Sequence, residues 1–112
     1  MTKYLISFPS RAMQLSQEEF TRAGVDSRAV IEQAKAAGVY VFGGGINESV
    51  DPVLVAADRS VTQDTYPASE INGGFTVLEL PTRRDAEEWA RRIAVACRYS
   101  QELREFMYDP AS

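Results

Sequence analysis

The chain contains no histidine and a single cysteine, Cys97, and these two shortages exclude a good deal of chemistry at once. Without histidine there is no Ser-His or Cys-His nucleophile pair, no imidazole acid or base, and none of the commonest metal ligand. One cysteine makes no disulfide within the chain and no cysteine-cluster zinc site. The acidic residues Glu48, Asp51, Asp58 and Glu70 lack the spacing of a metal loop, so neither a metal nor a cofactor is expected. Long apolar runs are missing too. The stretch Ile93-Ala94-Val95-Ala96-Cys97 is far short of the ~20 residues that span a bilayer. The segment Met1 to Phe8 has neither the apolar core nor the cleavage site of a secretory leader, so a cytoplasmic protein without a membrane segment is expected. Finally, there is no excess of basic charge. Twelve Lys and Arg face sixteen Asp and Glu, a net charge of −4, whereas a nucleic-acid partner needs a basic face to displace counterions. Arg83-Arg84 and Arg91-Arg92 are interleaved with Asp85, Glu87 and Glu88, which reads as a mixed-charge helix face in water.

What is present describes one domain over residues 1–112: 45% hydrophobic and 25% charged residues, with no repeat and no linker-like tract. Tyr4 to Phe8 reads as a strand with Tyr4, Ile6 and Phe8 on one face and Leu5 and Ser7 on the other, ended by Pro9. Ser16 and Glu19 form a capping-box pattern. Phe20, Ala23, Ser27, Val30, Ile31, Ala34 and Ala37 then recur at helical spacing up to Gly38. Gly24 leaves open a break there, with Asp26 or Ser27 recapping. Val39 to Phe42 is a strand running into a sharp turn at Gly43-Gly44-Gly45. Val53 to Ala57, a short segment near Val61 and Thr62, and Gly74 to Leu80 are further strands. Thr82 caps a last helix with an apolar stripe of Ala86, Trp89, Ala90, Ile93, Ala94 and Cys97. Periodicity alone leaves Leu103 to Tyr108 undecided.

The order β-α-β-β-β-α-β suggests an α+β domain of ferredoxin-like plait type, an antiparallel sheet with two helices on one face. Strand residues are apolar on both faces, Phe75 and Val77 against Leu78 and Leu80. The face without helices would be an exposed apolar patch unless two copies paired sheet to sheet in a closed homodimer.

The segment Asp64-Thr65-Tyr66-Pro67-Ala68-Ser69-Glu70-Ile71-Asn72-Gly73-Gly74-Phe75 resembles the signature of the YCII-related, or DGPF-domain, family. That family carries Asp-Gly-Pro-Phe, an acid- and Lys-rich loop and Gly-Gly-Phe in this order. Lys3-Tyr4-Leu5-Ile6, Ala36-Ala37-Gly38-Val39, Pro81 to Ala90 and Gln101 to Phe106 match further landmarks, so the likeness spans nearly the whole chain. It implies a closing strand over Leu103 to Tyr108 and pairing as a dimeric α+β barrel, in which small molecules bind between sheet and loops. With Tyr66 at the family's Phe position, Gln63 and Asp64 stand where the family has Asp and Gly, and the loop has no Lys. The His-Asp pair proposed as the active site in part of the family has no counterpart here.

On this basis Asp64 and Tyr66 are the candidate catalytic pair, a carboxylate for proton transfer beside a phenolic donor. A turn shaped by Asp64 and Pro67, with Tyr66 filling a gap between subunits, is the structural alternative. Ser7, Arg11, Glu70 and Gly73 are candidate ligand-binding residues. Against that reading, Arg11 also suits a structural ion pair with Glu70 or Asp64, and Gly73-Gly74 suits a bulge or close backbone contact. Cys97 and Trp89 read as core. The functional expectation is a small cytoplasmic homodimer with a small-molecule pocket near the signature loop, its chemistry resembling cofactor-free lyase or isomerase reactions on small organic acids. The alternative is a non-catalytic regulatory or protein-docking module, since family members are associated with extracytoplasmic-function sigma factors.

Overall fold

The computed structural model describes residues 1–112. Six strands and two long helices follow in the order β1 (Thr2–Phe8), α1 (Gln17–Ala36), β2 (Tyr40–Gly45), β3 (Leu54–Val55), β4 (Val61–Thr62), β5 (Gly74–Leu80), α2 (Arg83–Cys97) and β6 (Glu102–Glu105), with a 3-10 turn at Ser10–Ala12. Four strands form one antiparallel sheet in the order β2-β5-β1-β6. This α+β arrangement is compatible with a ferredoxin-like plait.

The helix ends are encoded locally. Ser16 Oγ accepts from the Glu19 amide, and Thr82 Oγ1 accepts from the Asp85 amide, each relieving an unpaired first-turn donor. Helix α1 stops at Gly38, whose φ of 74° suits glycine. There the Gly38 amide donates to Lys35 and the Val39 amide to Ala34, a Schellman motif. The helix runs through Gly24 unbroken, so the possible break there does not occur.

Alternation along the strands divides the sheet. Tyr4, Ile6, Leu78 and Leu80 pack beneath Ala34, Ala86, Ala90, Ile93 and Cys97 as the core. Trp89 lies half-buried at its margin, with the Arg92 guanidinium over its ring. Arg83, Arg91 and Arg92 pair with Glu87 or Glu88, the mixed-charge face expected. The opposite face carries Leu5, Phe75, Val77 and Phe42, and no helix covers it. Phe42 is 65% exposed. Only 14 of 112 residues are buried, a small core for a chain of this length.

Four expected strands differ. β2 continues through the glycine triplet, with a bulge between Tyr40 and Phe42, because the glycines pair with Gly74, Phe75 and Thr76 of β5. The closing strand is Glu102–Glu105, shorter than Leu103 to Tyr108. Its ladder ends where Phe106 donates to Lys3, and Met107 and Tyr108 extend into solvent. β3 and β4 do not join the main sheet but pair with each other, Leu54 with Thr62 and Val55 with Val61. They are the tip of an arm, residues 47–72, in which every residue is exposed except Leu54 and Asn72, both half-buried. Ordering a residue costs about 1–2 kcal/mol, so fixing such an arm costs on the order of tens of kcal/mol without a core of its own to offset it.

Two substitutions should separate core from helix propensity in urea unfolding. Leu78→Ala, at a site with no exposure, should lose about 2–5 kcal/mol. Gly24→Ala should gain about 1 kcal/mol, since a Cβ there meets nothing within 4 Å.

Candidate functional site

The loop from Gln63 to Gly73 starts just after β4 and ends where β5 begins. Its first half is held by itself. The Asp64 amide donates to Thr62, the Asp64 carboxylate accepts from the Thr65 amide at 2.8 Å, and the Ser69 amide donates to the Tyr66 carbonyl. Ala68 takes a left-handed φ of 61°. Asp64 is exposed and Tyr66 is 76% exposed, and the Tyr66 hydroxyl has no hydrogen-bond partner in the chain. Within one chain, therefore, the candidate catalytic pair faces water.

The second half is tied to the exit of β1. Arg11 Nε lies 3.2 Å from both Glu70 carboxylate oxygens. The Ser10 amide donates to Asn72 Oδ1 at 2.8 Å, and the Ile46 amide donates to the Gly73 carbonyl at 2.9 Å, closing the base of the arm. The Arg11–Glu70 pair is exposed, so it orients the loop more than it stabilises the fold, at about 0–1 kcal/mol. Asn72 is the residue that sequence reasoning missed. Its place directly before a glycine pair was the available signal.

Gly73 belongs to this junction for steric reasons. Its φ is 74°, and a Cβ would lie 2.1 Å from the Phe8 carbonyl oxygen. A Cβ on Gly74 would lie 2.5 Å from the Phe8 ring. That ring stacks at a tilt on Tyr99, with centroids 4.7 Å apart. Ser7 is buried, opposite Phe75 on one neighbouring strand and Glu102 on the other, and so lies on the sheet face without helices. The structure thus brings Arg11, Glu70 and Gly73 together at the end of β1 and leaves Asp64 and Tyr66 on the exposed side of the loop.

A cavity of about 720 Å³ lies between α1 and the sheet, and the sequence did not reveal it. Phe8, Phe20, Ile31, Ile93, Cys97 and Tyr99 are among its walls, and Gly24, Gly43, Gly45 and Gly74 contribute space by having no side chain. Asp64 and Tyr66 do not line it. Burial pushes the Cys97 thiol above its ordinary pKa, against the neighbouring Tyr99 hydroxyl and Arg98 charge, which act the other way. Burial, followed by the neighbouring Cys97, likewise raises the Tyr99 phenol. Both are neutral at pH 7, so Cys97 is a poor nucleophile. No family model matches the chain, and no curated protein matches it either.

Gly73→Ala should lower stability by about 1–3 kcal/mol or more in urea unfolding, whereas Gly45→Ala should cost far less because its nearest contact is an ordinary 3.5 Å. Cys97 and Tyr99 keep their protons longer in the folded chain than in the unfolded one. Their contribution is therefore complete below about pH 8.5 and is lost as pH rises above it. The melting temperature should fall on the alkaline side, and Cys97→Ala should flatten the first part of that fall.

Proposed function

We propose that the chain is a YCII-related homodimer that binds a small organic molecule between its sheet and the signature loop, and that Asp64 and Tyr66 act on the ligand once it is enclosed. The observation that carries this reading is the sheet face of Leu5, Phe42, Phe75 and Val77, which two helices on the other side leave bare. Phe42 is exposed and Leu5, Phe75 and Val77 are half-buried, so covering each contributes up to about 1.5–3 kcal/mol for Phe42 and less for the other three, and two-fold symmetry doubles the sum in favour of a pair of sheets. An enclosed space beside the loop would take Asp64 out of water, and a carboxylate gains acid–base strength of the required kind only when it is desolvated and positioned. The reaction class is cofactor-free lyase or isomerase chemistry on small organic acids, by analogy of fold.

A second reading is a regulatory docking module, associated with an extracytoplasmic-function sigma factor. It draws on the exposure of Tyr66, Met107 and Tyr108, side chains suited to a protein partner.

Light scattering should give about twice the 12.4 kDa chain mass, falling to a single chain for Val77→Asp. A panel of small aromatic and aliphatic carboxylates should then raise the melting temperature of the dimer. Saturation at 100 times the dissociation constant adds about 2.7 kcal/mol, and Asp64→Asn/Tyr66→Phe should abolish the shift. A dimer that binds nothing in the panel but captures a sigma factor equally well with both residues replaced would favour the docking module.

A further inference from the structure

We infer that the candidate site is composite: residues 47–72 form an arm that crosses to a second copy of this chain and lays Asp64 and Tyr66 over that copy's bare sheet face. The inference rests on the homodimer reading and adds to it which residues come from which copy.

The arm has a defined shape without a surface to hold it. Its base is closed by the Ile46 to Gly73 hydrogen bond and tied to the body through Asn72 and Glu70. Its tip is a turn in which Asp58 accepts from the Ser60 amide and hydroxyl, Arg59 takes a φ of 77°, and the Ala56 amide donates to Ser60. Hydrogen bonding to Ser60 holds the Asp58 carboxyl below its ordinary pKa. Between base and tip, Val53, Val55, Val61, Tyr66 and Ile71 are exposed. A two-stranded ribbon with no buried face does not hold its fold in water unaided, so this one is shaped to lie on something.

The occupant is a second copy because the same chain carries the matching deficit. The arm leaves the body from β2 and returns into β5, the two strands that present Phe42, Phe75 and Val77. It is therefore continuous with the bare face at that face's own edge. If two sheets pair about a two-fold axis, each arm projects past the edge of its own sheet towards the other copy. One reciprocal contact then covers both arms and both faces. The single chain is extended, 43 × 42 × 20 Å, with a radius of gyration of 15.7 Å against about 13 Å for a compact domain of this length, as an arm lying off the body requires.

The consequence for the site is specific. Asp64 and Tyr66 follow directly on β4 and so travel with the arm, whereas Ser7 and Phe75 stay on the sheet. The ligand would lie between the first pair from one copy and the second pair from its partner, and a single chain would hold half of each site.

Two differently tagged chains test this, one carrying Val61→Cys on the arm and the other Val77→Cys on the face, mixed, refolded and treated with a short bismaleimide. Wild-type chain sets the background from Cys97, which is buried. A cross-linked band bearing both tags, at least tenfold above that background, is the expected result. A dimeric mass with no such band, or with cross-links only between Val61→Cys chains, would leave the paired sheets standing and overturn the crossing arm. A monomeric mass would overturn both.

Discussion

Small residues on the helices set the distance at which everything else is built. Ala34, Ala86 and Ala90 are buried where α1 and α2 meet the sheet, so the helix backbones lie close to Ile6 and Leu78, the two largest side chains fully out of water. Close packing of that kind is unforgiving of volume changes, and it commits both helices to one side of the sheet. Strand geometry does the rest. With a side-chain period of two, giving Tyr4, Ile6, Leu78 and Leu80 to the helices leaves Leu5, Phe75 and Val77 on the other face, and the chain has no third helix to cover them. The bare face is thus a direct product of how the core is made.

The arm is coupled to that core through one crowded junction. Phe8 sits on the bare backbone of Gly74, and its ring meets Tyr99, a neighbour of Cys97 at the end of α2. One residue earlier, Gly73 turns the chain with a positive φ against the carbonyl of Phe8. Two adjacent glycines therefore do different jobs, one supplying backbone conformation and the other making room for a ring. The hydrogen bonds that Asn72 and Glu70 accept from the Ser10–Arg11 turn fix the direction in which the arm leaves.

Much of this is legible in the sequence. The Ser16 and Thr82 caps, the Gly38 stop, the faces of β1 and β5 and the buried Cys97 all follow from local rules of hydrogen bonding and periodicity. What the sequence concealed has a physical reason in each instance. Gly43-Gly44-Gly45 reads as a turn because glycine weakens strands, but pairing with β5 holds it extended. Val53 to Ala57 has strand composition, yet propensity does not say which strand will be the partner, and the partner is β4 rather than the sheet. The cavity beneath α1 is made by absent side chains on three elements distant in sequence, a pattern no window along the chain can register. At the site, the pairing of Arg11 with Glu70 is open to the sequence as complementary charge, whereas the exposure of Asp64 and Tyr66 depends on the course of the arm.

That exposure bears directly on what the chain can do. A protein without histidine must perform proton transfer with carboxylates, phenols or amines, and a carboxylate in open water is solvated in its charged form and held in no fixed relation to a substrate. Asp64 in the isolated chain also spends one acceptor position on the Thr65 amide. Acid–base work at this loop therefore requires a second surface that excludes water and leaves the remaining carboxylate positions directed inward. Protein docking makes the opposite demand, since Tyr66 would then have to stay outermost after the chain has assembled. The two functional readings differ in where the same side chain must end up. Whether a second surface covers the arm, more than the identity of any residue on it, is what decides between them.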